Sequence, residues 1–164
     1  MAGEIFWIAI SCGLMKIVDL KKEVVFIEQY IELRNSYAEL LLTSPVGMTG
    51  TREWLKRDDI EIRGLADGCV LLGVVILYIS RNNEVALFAK ERNQGIGSQL
   101  LKVIESVAMA KKLEFVRAWV LEGNIAARRT FEKNGFIEAG TSRREYMSFI
   151  QQGIDYKKNL KGSR

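Results

Sequence analysis

The residues with the clearest chemical potential are two glycines, Gly95 and Gly97, in the segment RNQGIGSQLL. The strand-like run Glu84–Ala89 precedes them and an amphipathic pattern follows, so they mark a turn from a strand into a helix. Glycine lets the backbone turn tightly and lie close to a ligand because it has no Cβ. The N–H groups at the start of the helix then favour an anion such as phosphate. A tight turn without a ligand is an equally good interpretation of these glycines alone.

Two common phosphate-binding loops are excluded by the residues that follow the turn. A Walker A loop requires Gly-Lys-Ser/Thr, whereas Gly97 is followed by Ser98 and Gln99. A dinucleotide-binding fingerprint requires a third glycine at the position of Leu100. Histidine is absent from all 164 residues, which removes histidine-based triads and most zinc sites, so we expect no metal.

Composition indicates an ordinary globular protein, with 48% apolar and 27% charged residues. The net charge of +4 is too small and too scattered to indicate a nucleic-acid partner. Cys12 and Cys69 lie far apart in apolar surroundings, and we expect free buried thiols. The apolar run Ile5–Ile10 is too short to cross a bilayer and has no basic residue before it. We therefore expect no membrane partner and a cytoplasmic location.

Apolar periodicity predicts the elements that must position the glycine turn. Lys22–Leu42 and Ser98–Lys111 have helical spacing, whereas Val70–Ile79 is a β-branched run. The other predicted strands are Met15–Leu20, Ile60–Ala66, Glu84–Ala89, Leu113–Leu121, Phe136–Gly140 and Glu145–Gln151, and the other predicted helices are Thr51–Arg57 and Asn124–Asn134. This order indicates an α/β fold with a mixed sheet flanked by helices. We expect a single domain at residues 15–152, an N-terminal extension at 1–14 and a solvated basic tail at 153–164.

Two motifs together resemble those of the GNAT N-acetyltransferases. Arg92-x-x-Gly95-x-Gly97 is similar to the family's Arg/Gln-x-x-Gly-x-Gly/Ala signature. NIAARRTFEKNGF, at Asn124–Phe136, resembles its N-x-x-A-x-x-x-Tyr-x-x-x-Gly-Phe element. The motifs have the family's usual separation on a strand–helix–strand–helix frame, and the resemblance covers roughly residues 60–150.

The resemblance implies a GNAT-like acyl-CoA N-acyltransferase fold in which two central parallel strands splay apart. It implies direct transfer of an acetyl group from acetyl-CoA to a primary amine. The glycine turn would hold the CoA pyrophosphate, and the pantetheine arm would pair with Leu87–Lys90 beside Leu113–Leu121. The residues that the resemblance assigns to cofactor binding are Leu87, Phe88, Ala89, Lys90, Arg92, Gln94, Gly95, Ile96, Gly97, Ser98, Gln99, Asn124, Ala127, Arg128 and Phe131.

The catalytic residues implied by the resemblance are a base and an acid. Glu84 and Glu122, at the ends of strands beside the cofactor, are candidates for the base that deprotonates the acceptor ammonium. An ordinary surface charge is the alternative interpretation of each. The family's usual tyrosine acid is replaced by Phe131, so Tyr146 or water would have to supply a proton if one is needed.

The acceptor site is the least defined part of the sequence. Arg34 and Asn35 bear a loose likeness to a segment of GNAT enzymes that acetylate amino sugars, and a helix break is the alternative interpretation. A small-molecule amine is the leading substrate class, and a protein or peptide amine is second. A non-catalytic acyl-CoA-binding module is the alternative function, and a homodimer stays open.

Overall fold

The computed structural model describes residues 15–91 and 95–161, and its elements follow the predicted order. The strands are β1 Met15–Asp19, β2 Ile60–Asp67, β3 Val70–Tyr78, β4 Glu84–Ala89, β5 Phe115–Leu121, β6 Ile137–Tyr146 and β7 Phe149–Asn159. The α-helices are α1 Ile27–Ser36, α2 Ala38–Leu41, α3 Met48–Leu55, α4 Ile96–Ala110 and α5 Ile125–Lys133. Short 3₁₀ turns lie at Val24–Phe26 and Ile79–Arg81.

The strands form one seven-stranded sheet in the order β1-β2-β3-β4-β5-β7-β6. All neighbouring pairs are antiparallel except β4 and β5, which are parallel and are connected through α4. A parallel pair requires a long crossover, which the helix supplies. The predicted mixed sheet flanked by helices is confirmed.

Each face of the sheet has its own apolar core. On one face, α4 buries Leu100, Leu101, Ile104 and Ala108, the stripe that its sequence predicts. Burial of each of the three large side chains stabilises the fold by roughly 1.5–3 kcal/mol. On the other face, α1 and α3 pack around the fully buried Tyr30. Among the described residues, no helix is long and apolar enough to cross a membrane.

Several predicted boundaries and one predicted burial state were wrong. The helix predicted from Lys22 to Leu42 is a 3₁₀ turn followed by α1 and α2, which meet at Tyr37. Helix α4 begins at Ile96 with Gly95 as its N-cap, so Ser98 lies inside the first turn. Cys69 is exposed because it lies in the β2–β3 turn.

The predicted tail at 153–164 was wrong as far as Asn159, because β7 continues through it and pairs with β5. Tyr156 is fully buried and Ile154 nearly so, whereas Lys157 is exposed. The alternation of apolar and polar side chains is that of a strand with one buried face. The lysines concealed this pattern because they dominate the local composition.

Candidate active site

The sheet opens between β4 and β5, its two parallel neighbours. The two strands pair at a single position, where Glu84 lies opposite Arg117. At the same place the Arg117 N–H donates a hydrogen bond of 2.9 Å to the Asn83 carbonyl. Backbone groups of alternate residues point to the same side of a strand, so those of Val85 and Leu87 face the gap beyond this pair. An extended ligand with amide groups can satisfy such strand-edge donors and acceptors.

The gap forms a cleft, the inter-strand cleft, that is partly open to solvent. Side chains of β4 and β5 line its walls, and Asn124, Ala127 and Phe131 of α5 close one side. Leu40 and Leu41 of α2 contribute from the opposite side of the sheet. The cleft therefore runs between the splayed strands and connects the two faces.

A second pocket, the side pocket, lies on the face covered by α1 and α2 and is partly open to solvent. Its lining comes from α1, the segment after α2, β3, β4 and the end of β6. The two pockets share four lining residues, Leu41, Glu84, Ala86 and Arg144. A molecule in the side pocket and one in the cleft would therefore meet beside Glu84.

Glu84 is held in place by Arg144 on β6. The guanidinium donates two hydrogen bonds, of 2.9 and 2.8 Å, one to each carboxylate oxygen. Arg144 also lies over the Trp119 ring, 4.6 Å from its centroid. The Glu84 side chain is only 17% exposed, whereas that of Arg144 is 37% exposed, so the carboxylate is the more sheltered partner of this fork-to-fork pair. Sequence reasoning found Glu84 but missed Arg144 and Trp119.

Trp119 has a fixed orientation because of two neighbours on the β6–β7 hairpin. Its indole N–H donates to the Ser142 hydroxyl at 3.1 Å. A Cβ at Gly153 would lie 2.1 Å from two atoms of the ring, so only glycine leaves room for the indole. The hairpin thus positions Trp119, Trp119 supports Arg144, and Arg144 orients the Glu84 carboxylate.

The glycine turn presents a helix start with no side-chain cap. Gly95 adopts φ +72°, a left-handed conformation that favours glycine, and a Cβ there would meet nothing within 4 Å. The first N–H groups of α4 have no intrahelical acceptors, so they and the helix dipole favour an anion. Arg92 and Gln94, which the sequence assigned to this cradle, lie outside the described residues.

Gly97 has a packing role in addition to its predicted one. A Cβ at this position would lie 3.0 Å from the Thr130 methyl and 3.2 Å from a Leu87 methyl. The α4 start is also tied to the α5 end, because the Asn134 side chain donates to the Ser98 hydroxyl at 2.9 Å. These contacts hold the glycine turn against the helix that closes the cleft.

Asn124 is both a helix cap and a residue of the cleft wall. Its side-chain oxygen accepts a hydrogen bond of 3.3 Å from the Ala127 N–H, which satisfies one orphan donor at the start of α5. Phe131, about two turns further along α5, is buried. Its ring packs edge-to-face on that of Phe136, with ring centroids 5.0 Å apart. Its ring borders the cleft without offering a proton donor.

A family model described as the acetyltransferase (GNAT) family matches residues 28–136, which is more than half of the chain. The matched span contains the parallel strands that diverge, the glycine turn and α5. The chain belongs to the GNAT acetyltransferase family. It is therefore an acetyl-CoA-dependent N-acetyltransferase, with acetyl-CoA as its cosubstrate.

Solved structures of GNAT acetyltransferases have the same fold. An N-acetyltransferase from Staphylococcus aureus Mu50 is 19% identical with a TM-score of 0.76, over 91% of this chain and 100% of that chain. A ribosomal-protein-alanine N-acetyltransferase from Brucella melitensis is 17% identical with a TM-score of 0.76, over 90% and 100%. The spermidine N-acetyltransferase from Vibrio cholerae, in complex with CoA and spermine, is 15% identical with a TM-score of 0.72, over 89% and 95%. Among curated proteins, none matches this chain significantly in sequence.

The residues present fit the cosubstrate of a GNAT enzyme. The cleft leaves the backbone of β4 open along Val85 and Leu87, as an extended pantetheine arm with two amides requires. The open space beside Gly95, at the start of a 15-residue helix, suits a pyrophosphate. Leu87, Asn124, Ala127 and Phe131 line the cleft as the GNAT resemblance predicts, and their contacts with CoA stay predictions.

Other predicted cofactor residues lie outside the inter-strand cleft. Phe88 is buried on the opposite side of β4 and lines the side pocket, because neighbouring strand residues face opposite ways. The Ala89 carbonyl accepts a hydrogen bond of 2.5 Å from the Tyr37 hydroxyl, a contact that sequence reasoning missed. Lys90 is exposed, and its N–H donates to the Leu72 carbonyl at 2.7 Å.

Arg128 is engaged with the protein itself. It donates to the Tyr156 hydroxyl, the Glu122 carbonyl and the Glu138 carboxylate at 3.3, 3.3 and 3.4 Å. The bond to Tyr156 raises the pKa of the guanidinium. These contacts connect α5 to the C-terminal strands and give Arg128 a structural role, while its predicted contact with CoA stays a prediction.

Two of the three predicted catalytic residues do not line the pockets. Glu122 is exposed, and its side chain borders neither pocket. The Tyr146 hydroxyl donates to the Thr43 carbonyl at 3.1 Å, so it connects β6 to the segment after α2. Glu84 borders both pockets. The geometry therefore favours Glu84 among the candidates for the base.

The predicted acceptor residues have different roles. Arg34 lines the side pocket, and its guanidinium donates to the Ser44 carbonyl at 3.1 Å. The Asn35 amide donates to the Val46 carbonyl at 3.0 Å and accepts from the Val46 N–H at 2.9 Å. Asn35 therefore fixes the segment before α3, and Arg34 is the one of the pair that faces the pocket. Among the described residues, no group of three potential metal ligands occurs.

Proposed function

We propose that the protein transfers the acetyl group of acetyl-CoA directly to a primary amine of a small molecule. The observation that carries this proposal is the junction of the inter-strand cleft and the side pocket at Glu84. The side pocket is a concave site that meets the cleft beside Glu84, and sites that hold small molecules are usually concave. A protein substrate would need a more extended surface, which makes it the weaker candidate.

Acetyl-CoA supplies an activated acetyl group that a neutral amine can accept without a covalent enzyme intermediate. The first task of the chain is to hold the two reactants together, because proximity converts the transfer into an effectively unimolecular step. The backbone of β4 would align the acyl-bearing arm, and the side pocket would hold the acceptor. Leu41 and Ala86, which border both pockets, would place apolar side chains at the junction.

The second task is to remove a proton from the acceptor ammonium, and we assign it to Glu84. A lysine-like ammonium has a pKa of ~10 and an α-ammonium one of ~8, so most of the amine is protonated at neutral pH and a base must remove the proton. Both Glu84 oxygens accept hydrogen bonds from Arg144, so each keeps a further lone pair for the ammonium or for a bridging water. Arg144 therefore acts as the residue that positions the base.

No proton donor is assigned at Phe131. Departure of the sulfur as a thiolate is chemically feasible because a thiol has a pKa of only ~8.5. The proton that the nitrogen loses as the amide forms can then neutralise the thiolate through water at the mouth of the cleft. This assignment replaces the predicted role of Tyr146, whose hydroxyl donates to the Thr43 carbonyl.

The proposed function is tested by thiol release from acetyl-CoA with a panel of amino sugars, polyamines, amino acids and peptides. A rise in melting temperature with acetyl-CoA alone first establishes that the protein is folded and binds its cosubstrate. We expect turnover with at least one small amine, and turnover with peptides alone would contradict the proposal.

The role of Glu84 is tested with Glu84→Gln against two other glutamates. We expect kcat/KM to fall by about 10²–10⁴ in this variant, the range for loss of a general base. Glu53→Gln, at a surface residue whose carboxylate pairs with Lys56, is the control for loss of a negative charge. Glu122→Gln tests the competing candidate. A larger loss in Glu122→Gln than in Glu84→Gln would reassign the base.

A further inference from the structure

Two arginines of the side pocket have no carboxylate partner among the described residues. Arg34 donates to a backbone carbonyl, and Arg81 lies over the Tyr78 ring with its guanidinium carbon 4.4 Å from the centroid. The third arginine of this pocket, Arg144, is paired with Glu84. The ion pairs between described residues include neither Arg34 nor Arg81.

Arg34 and Arg81 both lie close enough to Tyr78, a lining residue of the side pocket, for their charges to affect its hydroxyl. Burial raises the pKa of the Tyr78 hydroxyl, and the positive charges of Arg81 and Arg34 oppose that rise. Tyr78 lines the side pocket with both arginines and is the β3 partner of Glu84 on β4. Arg34 is half-buried and fixed by its carbonyl contact, whereas Arg81 is exposed and stacked on an aromatic ring.

The side pocket has an excess of positive charge near its wall. Its lining contains three arginines and two glutamates, Glu84 and Glu145, and Glu84 is already neutralised by Arg144. A polycation would therefore meet the two guanidinium groups of Arg34 and Arg81 against the single remaining carboxylate of Glu145, which like-charge repulsion disfavours. A carboxylate or phosphate would instead receive charge-assisted hydrogen bonds, which the planar guanidinium makes in pairs.

We propose that the acceptor is a small amine that also carries an anionic group, a carboxylate or a phosphate, which Arg34 and Arg81 bind while the amine lies beside Glu84. This inference rests on the proposed function, since it names the substrate class of the same site. Arg81 is the specificity-determining residue of the pair, because its side chain has no other polar partner among the described residues. Arg34 has a second role in holding the segment after α2.

The test compares amines that differ only in the anionic group, with wild-type protein and Arg81→Gln. One pair is glucosamine 6-phosphate and glucosamine, and the other is L-leucine and L-leucine amide, so the two pairs distinguish phosphate from carboxylate. Thiol release gives kcat/KM for each amine, and calorimetry with the CoA-bound protein gives the affinity of each. Arg52→Gln, at an exposed arginine of α3 outside both pockets, is the matched control.

We expect the anionic member of at least one pair to be favoured about tenfold or more, in kcat/KM or in affinity. Arg81→Gln should reduce that preference by about tenfold while the neutral member changes less than twofold, and Arg52→Gln should leave the preference unchanged. Preference for the neutral members, or an equal loss for both members in Arg81→Gln, would overturn the inference. Absence of thiol release with every amine would count against the proposed function, and the calorimetric comparison would still decide the inference.

Discussion

The substitution Gly153→Ala, which adds a single methyl group, tests the series of contacts that positions Glu84. Gly153 lies on β7 opposite Leu121 of β5, and its α-carbon faces the Trp119 ring. In Gly153→Ala the new Cβ would lie 2.1 Å from ring atoms Cε2 and Cζ2. Carbon atoms in contact are ordinarily about 3.5–4.0 Å apart, so either the indole or the strand must move.

The expected cost follows from what the indole loses when it moves. Forcing extra volume into a packed site costs about 1–3 kcal/mol. The hydrogen bond from the Trp119 indole to Ser142 contributes about 1 kcal/mol more. We therefore expect the free energy of unfolding to fall by about 2–4 kcal/mol. Each kcal/mol should lower the melting temperature by about 2–4 °C. A displaced indole also leaves Arg144 without its stacking surface, so we expect kcat/KM to fall about tenfold or more.

Thermal unfolding and thiol release measure the two effects, and two variants serve as references. Gly50→Ala adds the same methyl group in α3, where nothing lies within 4 Å, and should stabilise the protein by about 0.5–1 kcal/mol. In a Trp119→Leu background, Gly153→Ala should cost much less than in the wild type, because the ring is gone. A wild-type melting temperature in Gly153→Ala, or an equal cost in both backgrounds, would refute the reasoning.

Two further predictions concern the anion site and the pH dependence of stability. Gly95→Asp should weaken acetyl-CoA binding about tenfold or more by calorimetry, whereas the isosteric Gly95→Asn should weaken it much less, because both residues tolerate the left-handed backbone but only Asp repels phosphate. Equal affinities in the two variants would count against a pyrophosphate there. Hydrogen bonds from Arg57 and Ser80 hold the pKa of Asp59 below its usual range, so the stability that Asp59 contributes is present above pH ~4 and is lost as the pH falls below it. Asp59→Asn should therefore flatten the acid side of a plot of melting temperature against pH, and an unchanged slope would contradict this assignment.

The cofactor half of the site could be predicted because its signals are local in sequence. The glycine turn, the periodic stripe of α4 and the asparagine that caps α5 each depend on a few neighbouring residues. Gly95 has the left-handed conformation that its position in the turn requires. Local rules of backbone geometry and helix capping are sufficient for features of this kind.

The pairing of Glu84 with Arg144 could not be predicted from the sequence, since it depends on sheet topology. The two residues are 60 positions apart, and two other strands, β5 and β7, separate β4 from β6 in the sheet order. Arg144 reaches Glu84 only by lying over Trp119, and Trp119 fits only because residue 153 is glycine. Neither apolar periodicity nor a local sequence motif predicts that arrangement.

The same division explains why family membership defines the cosubstrate more sharply than the acceptor. The cosubstrate arm would meet mainly backbone groups, which a splayed pair of strands presents whatever the side chains are. The acceptor would meet side chains from α1, the 3₁₀ turn after β3 and the end of β6, which lie far apart in sequence and meet only in the folded chain. We infer that specificity in this chain depends on charges such as those of Arg34 and Arg81, which Glu84 and Arg144 would connect to the reaction.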